Sequence, residues 1–140
     1  MTDDMAASLR SRPSLLEQTL EVFLRAVALA CIVEGVAYWI RLLGFFEGST
    51  WRFDLMPIYW QMTAVPLAVL FPFAAVGLWM LASWGPVVWI LCAGTEIVMY
   101  GAFPDLYGNR VWLLSFQMLM IGCYAGLRIV LYLRGAHSRR

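Results

Sequence analysis

Two glutamates stand inside apolar runs of this chain, Glu34 in "CIVEGVAYW" and Glu96 in "CAGTEIVMYG". Each has a valine two residues on and a tyrosine four residues on, Tyr38 and Tyr100, with Cys31 and Cys92 just before them. Residues three and four apart share a helix face, so Cys31, Glu34 and Tyr38 form one stripe and Cys92, Glu96 and Tyr100 another. A carboxylate in such surroundings needs a partner or a proton. Its use is then one of two. A protonatable pair binds a proton or a cationic ligand, or protonated glutamates bond each other, a tyrosine or Gln117 and so fasten helices together. A pathway needs more polar lining than these runs offer, which favours the fastening role.

Little else in the chain carries chemistry. The cysteines 31, 92 and 123 lie far apart, with no CxxC pair, so neither a zinc site nor a redox dithiol is expected. The single histidine, His137, lies in the polar tail, which excludes a bis-histidine haem. No nucleophile with a base and no nucleotide motif is present, so an enzyme is not expected, nor a cofactor. A net charge of +1 gives no concentrated positive surface for nucleic acid.

The elements that position the glutamates follow from composition. The 140 residues are 62% hydrophobic and 14% charged, too apolar for a small soluble domain to hide. No charge occurs between Asp54 and Glu96, about twice the roughly 20 residues that cross a bilayer as a helix. The expected fold is all-α: an integral membrane four-helix bundle, its partner the lipid bilayer. Spans are expected at about 20–43, 58–82, 86–103 and 111–133, between a tail at 1–13 and a basic tail at 134–140. Ser14 and Glu17 form a capping-box pattern at the entry to the first. Pro66 and Pro72 interrupt the second, tolerable where neighbours satisfy the freed backbone, and Gly85-Pro86 makes a tight restart for the third.

Arginines 10, 12, 25, 128, 134, 139 and 140 fall on the side of the termini, against Arg41, Arg52 and Arg110 opposite. That bias predicts both termini in the cytoplasm and residence in a bacterial inner membrane. Trp39, Trp51, Tyr59, Trp60, Trp84, Tyr107, Trp112 and Tyr132 suit an interfacial belt. At 1.5 Å per residue Glu34 lies roughly 15 Å and Glu96 roughly 12 Å below the outer ends of their spans. Gln117 reaches a similar depth, so Glu34, Tyr38, Glu96, Tyr100 and Gln117 make a candidate polar layer. Arg25 and Arg128 are expected to snorkel to the interface. Gly122, Cys123 and Gly126 suggest close helix packing. In the outer loop "GFFEGSTWRFDLMPIYWQ", Trp51, Arg52 and Asp54 are either an interfacial ring and ion pair or a docking surface for another membrane protein or a second copy.

Together "WRFDLMPIYWQ", "SWGPVVW" and "TEIVMYGAFPDLYG" resemble an uncharacterised family of small inner-membrane proteins of alphaproteobacteria, a domain of unknown function. The resemblance implies a four-helix inner-membrane protein and transfers no activity and no catalytic residues. A more distant likeness is to the small multidrug resistance transporters, which have a membrane-embedded glutamate in their first helix; Glu34 would hold that place. The second glutamate, the two prolines and the arginine bias depart from them. The expectation is therefore a non-enzymatic accessory, assembly or interaction subunit, with a small proton-coupled transporter using Glu34 and Glu96 as the alternative.

Overall fold

The computed structural model describes residues 1–5, 13–48 and 51–137. Residues 6–12 of the expected N-terminal tail and 138–140 of the basic tail lie outside the described residues, with Arg10, Arg12, Arg139 and Arg140. The described chain is all-helical, without strands. Helix α1 is Leu15–Leu43, α2 Ile58–Trp79 and α3 Gly85–Ile97, which runs on into a π-turn, Val98–Ala102; a short α4, Pro104–Tyr107, precedes α5, Val111–His137.

Local chemistry sets the helix ends. Ser14 caps α1 with its hydroxyl accepting from Glu17 N–H at 3.3 Å, while the Glu17 carboxylate accepts from Ser14 N–H at 2.7 Å. Two otherwise orphaned donors are thereby satisfied. Gly44 ends α1 in the left-handed conformation, φ 73°. Helix α2 starts directly after Pro57 and ends in a Schellman arrangement, Ala82 N–H bonding Gly77 C=O at 2.9 Å and Leu81 N–H bonding Leu78 C=O at 3.1 Å. Leu81 takes the left-handed position, φ 56°, that glycine usually fills. Beside it the two helices nearly touch: a Cβ on Gly85 would lie 2.5 Å from the Gly77 carbonyl carbon. Only glycine permits that turn.

Pro66 and Pro72 both lie within α2. Pro72 has no N–H for the carbonyl of Ala68, four residues before it. The indole N–H of Trp39, on α1, donates to that carbonyl at 2.9 Å. A neighbouring helix thus fills the gap that the proline opens. The Pro72 ring also rests on Gly35, where a Cβ would come within 2.9 Å, so a glycine on α1 makes the approach possible.

Helices α1, α2 and α3 share a core that includes Val27, Ala28, Ala64, Phe71, Leu78 and Trp89. Helices Ile58–Trp79, Gly85–Ala102 and Val111–His137 are long and apolar enough to cross a membrane. The first two have 44% of their most apolar stretch buried and α5 only 11%, so α5 is a peripheral helix. It buries Leu113 and Gln117 and leans on the core through Met120, Ile121 and Tyr124. The expected close packing at Gly122, Cys123 and Gly126 does not occur within the chain: nothing lies within 4 Å of a Cβ at either glycine, and Cys123 is exposed. That stripe faces away from α1–α3. Trp60, near the start of α2, is buried beneath Tyr100 and Tyr107.

Candidate functional site: a polar layer between three helices

The helices run alternately up and down, so one end of the bundle carries the 44–57 loop and α4 and the other carries the α2–α3 turn; these are called the loop end and the terminal end. Towards the loop end, α1, α3 and α5 each present one polar side chain to a common point. Glu96 of α3 is 1% exposed. Its Oε1 accepts from the Tyr38 hydroxyl of α1 at 2.8 Å, and its Oε2 accepts from Gln117 Nε2 of α5 at 2.7 Å. Both carboxylate oxygens therefore have a donor, each from a different helix. The Tyr38 ring is itself held by a stacked contact with Phe71 of α2, centroids 5.9 Å apart.

Glu34 behaves differently. It is partly buried and makes no hydrogen bond among the described residues. The two glutamates do not bond each other, but both line one small cavity of about 30 Å³, together with Tyr38, Tyr100, Arg41 and Arg110. Tyr100 belongs to this layer through the cavity wall, next to Arg110, whose guanidinium carbon stands 5.8 Å from its ring. Of the five residues whose spacing suggested a shared layer, three are joined by hydrogen bonds and all but Gln117 line the cavity. Gln117 lines a second void on the other side of Glu34, about 10 Å³, with Cys31, Val27, Phe71 and Trp89.

Two members of the site were not singled out from the sequence. Arg41 was counted among loop arginines, yet it is 6% exposed at the last turn of α1. Its guanidinium carbon lies 4.9 Å from the Trp51 ring, 5.1 Å from Trp60 and 5.8 Å from Tyr38. The signal was available, since Arg41 falls three residues after Tyr38 and seven after Glu34, on the same stripe. Arg110 likewise shares a stripe with Leu113 and Gln117. In the sequence both arginines count only towards the charge on the loop side.

The outer-loop trio is divided. Trp51 is half-buried over Arg41 and packs edge-on to Phe46. Arg52 and Asp54 are exposed and joined by two bonds, 2.8 and 3.2 Å. Gln61 Nε2 donates to Phe53 and Met56 carbonyls at 2.9 Å each, pinning the loop to α2. Arg25 sits over Trp79 and Arg128 donates to the Tyr124 hydroxyl at 3.0 Å, both at the terminal half.

A larger hollow of about 600 Å³ opens on the outer flank between α2 and α3, over Thr63, Gly94 and Thr95, and shares no lining residue with the polar cavity. Thr63 and Thr95 turn their hydroxyls back to carbonyls of their own helices. The polar layer is thus the one place where side chains from three helices converge on ionisable groups among the described residues.

No curated protein matches the chain, and no solved structure does. A family of unknown function, DUF6163, matches residues 18–135, which spans the helices from the second turn of α1 to the end of α5, and the chain belongs to that family.

Proposed function

We propose that this chain is a four-span protein of the bacterial inner membrane, with both termini cytoplasmic, that serves as a non-enzymatic subunit assembling with another membrane protein or with a second copy. The observation that carries this reading is the state of Glu96. A carboxylate used to move a proton or cation along a pathway must release its partners in turn, whereas Glu96 accepts from two donors on two other helices. The voids beside the two glutamates, about 30 and 10 Å³, are far below the roughly 300 to 1,000 Å³ of small-molecule sites. Helix α1 supports the fourth span: only Arg25 and Glu34 interrupt residues 22–39, and its inward face packs on α2. Helix α5 supports the assembly role, since a peripheral helix with Gly122 and Gly126 four residues apart lets another helix approach closely.

The test is recovery of the tagged protein in a gentle detergent, followed by mass spectrometry of what accompanies it. A reproducible membrane-protein partner or a stable dimer is expected. Recovery only as a monomer, with pH-dependent substrate flux in vesicles that is lost in Glu34→Gln or Glu96→Gln, would establish the transporter alternative instead.

A further inference from the structure

Arg41 lies outside the clasp around Glu96. It is more than nine-tenths buried, and among the described residues no acceptor pairs with it. The three aromatic rings around it stabilise the cation, but rings do not satisfy five N–H donors. Asp54, an acidic residue of the loop, is paired to Arg52. The guanidinium instead lines the cavity of about 30 Å³, whose other polar walls are Glu34, Glu96, Tyr100 and Arg110. A water needs roughly 10 to 15 Å³ and two to four polar partners, so there is room for about two. They would bridge Arg41 to the carboxylate of Glu34, which has no hydrogen-bond partner among the described residues.

The space on the other side of Glu34 is tighter and carries no second charge. The void there is about 10 Å³, walled by the buried Val27, Phe71 and Trp89 together with Cys31 and Gln117. That is at the lower limit of what a single water occupies. Glu34 therefore stands at a boundary, with a charged cavity that has room for water towards the loop end and a tighter void walled mostly by hydrocarbon towards the terminal end.

We propose that the cavity between Glu34, Arg41, Glu96 and Arg110 is a water-filled port through which Glu34 exchanges protons with the loop end of the bundle and not with the terminal end. The port rests on the four-span reading but not on any partner. The groups facing Glu34 are Cys31, Tyr38 and Arg41 from α1, Glu96 and Tyr100 from α3 and its π-turn, and Arg110 and Gln117 from the start of α5. Helix α2 contributes only uncharged residues there. Acid at the loop end adds a proton to Glu34, carried through the bridging waters.

The experiment reconstitutes the full chain into lipid vesicles and scores its orientation with an impermeant maleimide on a Glu47→Cys variant. The pH is changed on one side at a time while the infrared C=O band of protonated carboxyl groups is followed. Subtracting the Glu34→Gln spectra removes the bands of the surface carboxyl groups, Asp3, Asp4, Glu17 and Glu21 at the terminal end and Asp54 and Asp105 at the loop end; the difference band is expected to grow with acid at the loop end alone, to shift in Glu34→Asp and to be retained in Glu96→Gln. Each variant is first shown to float with the vesicles, and Glu34→Asp, whose shifted band must show the same sidedness, is the second variant. Protein that fails to float with the vesicles overturns the four-span reading and the port with it. Floating protein whose difference band follows the terminal-end pH, does not titrate, or vanishes in Glu96→Gln overturns the port alone.

Discussion

At the scale of single residues, Tyr38 reaches Glu96 because a tyrosine on a helix leans back towards its own N-terminus. Tyr38 lies one turn beyond Glu34, about 6 Å along the axis, and the lean returns its hydroxyl to the depth of the glutamates. Matching the two glutamates by depth was legible from residue counts; that the tyrosine, not the second glutamate, is the partner was not, because side-chain direction enters only once neighbours are fixed. Interhelical hydrogen bonds in membranes contribute about 0.6 kcal/mol on average, so Tyr38→Phe is expected to lower stability by about that amount in a detergent unfolding titration. Glu96→Leu strands both donors, and a loss of about 1 to 3 kcal/mol is expected in the same titration. If Glu96→Leu is no worse than Tyr38→Phe, the clasp is not what holds α5. Arg41 shows the limit from the other direction: its stripe was readable, but burial of an arginine depends on Trp51 folding back over it, and nothing in "GSTWRF" states that direction. Trp51→Ala should cost about 1 to 2 kcal/mol through the lost cation–π contact, and should speed protease cleavage in the 44–57 loop.

At the scale of elements, the proline in α2 and the tryptophan in α1 act as one unit. Trp39→Phe removes the donor to the Ala68 carbonyl and is expected to cost about 1 kcal/mol. In a Pro72→Ala background the restored N–H takes that carbonyl, so the same Trp39→Phe change should cost much less; equal costs in the two backgrounds would break the link. The glycines divide in the same way. Gly85→Ala forces a methyl against the Gly77 backbone, and a destabilisation of about 1 to 3 kcal/mol is expected. Gly122→Ala meets nothing within 4 Å and should leave the isolated chain's stability almost unchanged, while weakening assembly if that stripe is the seat of a partner. Element existence was readable throughout: the Ser14–Glu17 cap, the break after Trp79 and the restart at Gly85-Pro86 all carry their own local chemistry. The π-turn over Val98–Ala102 was not, since it depends on setting Met99 and Tyr100, adjacent in sequence, both inward. Nor was the peripheral seat of α5, whose apolar residues from Val111 to Leu127 surround the helix and do not mark one face for packing.

At the scale of the whole molecule, the polar layer ties the peripheral helix to α1 and α3 by a few side chains near the loop end, while the terminal half of α5 stays free of them. An assembly surface placed on that half can bind without disturbing the layer. Loop substitutions at Arg52 and Asp54, which are exposed and touch no part of the layer, should therefore leave the unfolding titration unchanged; if the loop is the docking surface, the same changes release the partner in the detergent pull-down, and unchanged recovery assigns docking to α5.

The order of the clasp's members along the chain has a consequence for biogenesis. Tyr38 leaves the ribosome first, Glu96 next and Gln117 last. A nascent chain that has delivered α3 but not α5 holds Glu96 with one donor in place and the other still untranslated. Seating α5 is thus the closing event of insertion, and until it happens the half-bonded carboxyl is a mark by which a membrane chaperone can tell an unfinished chain from a finished one.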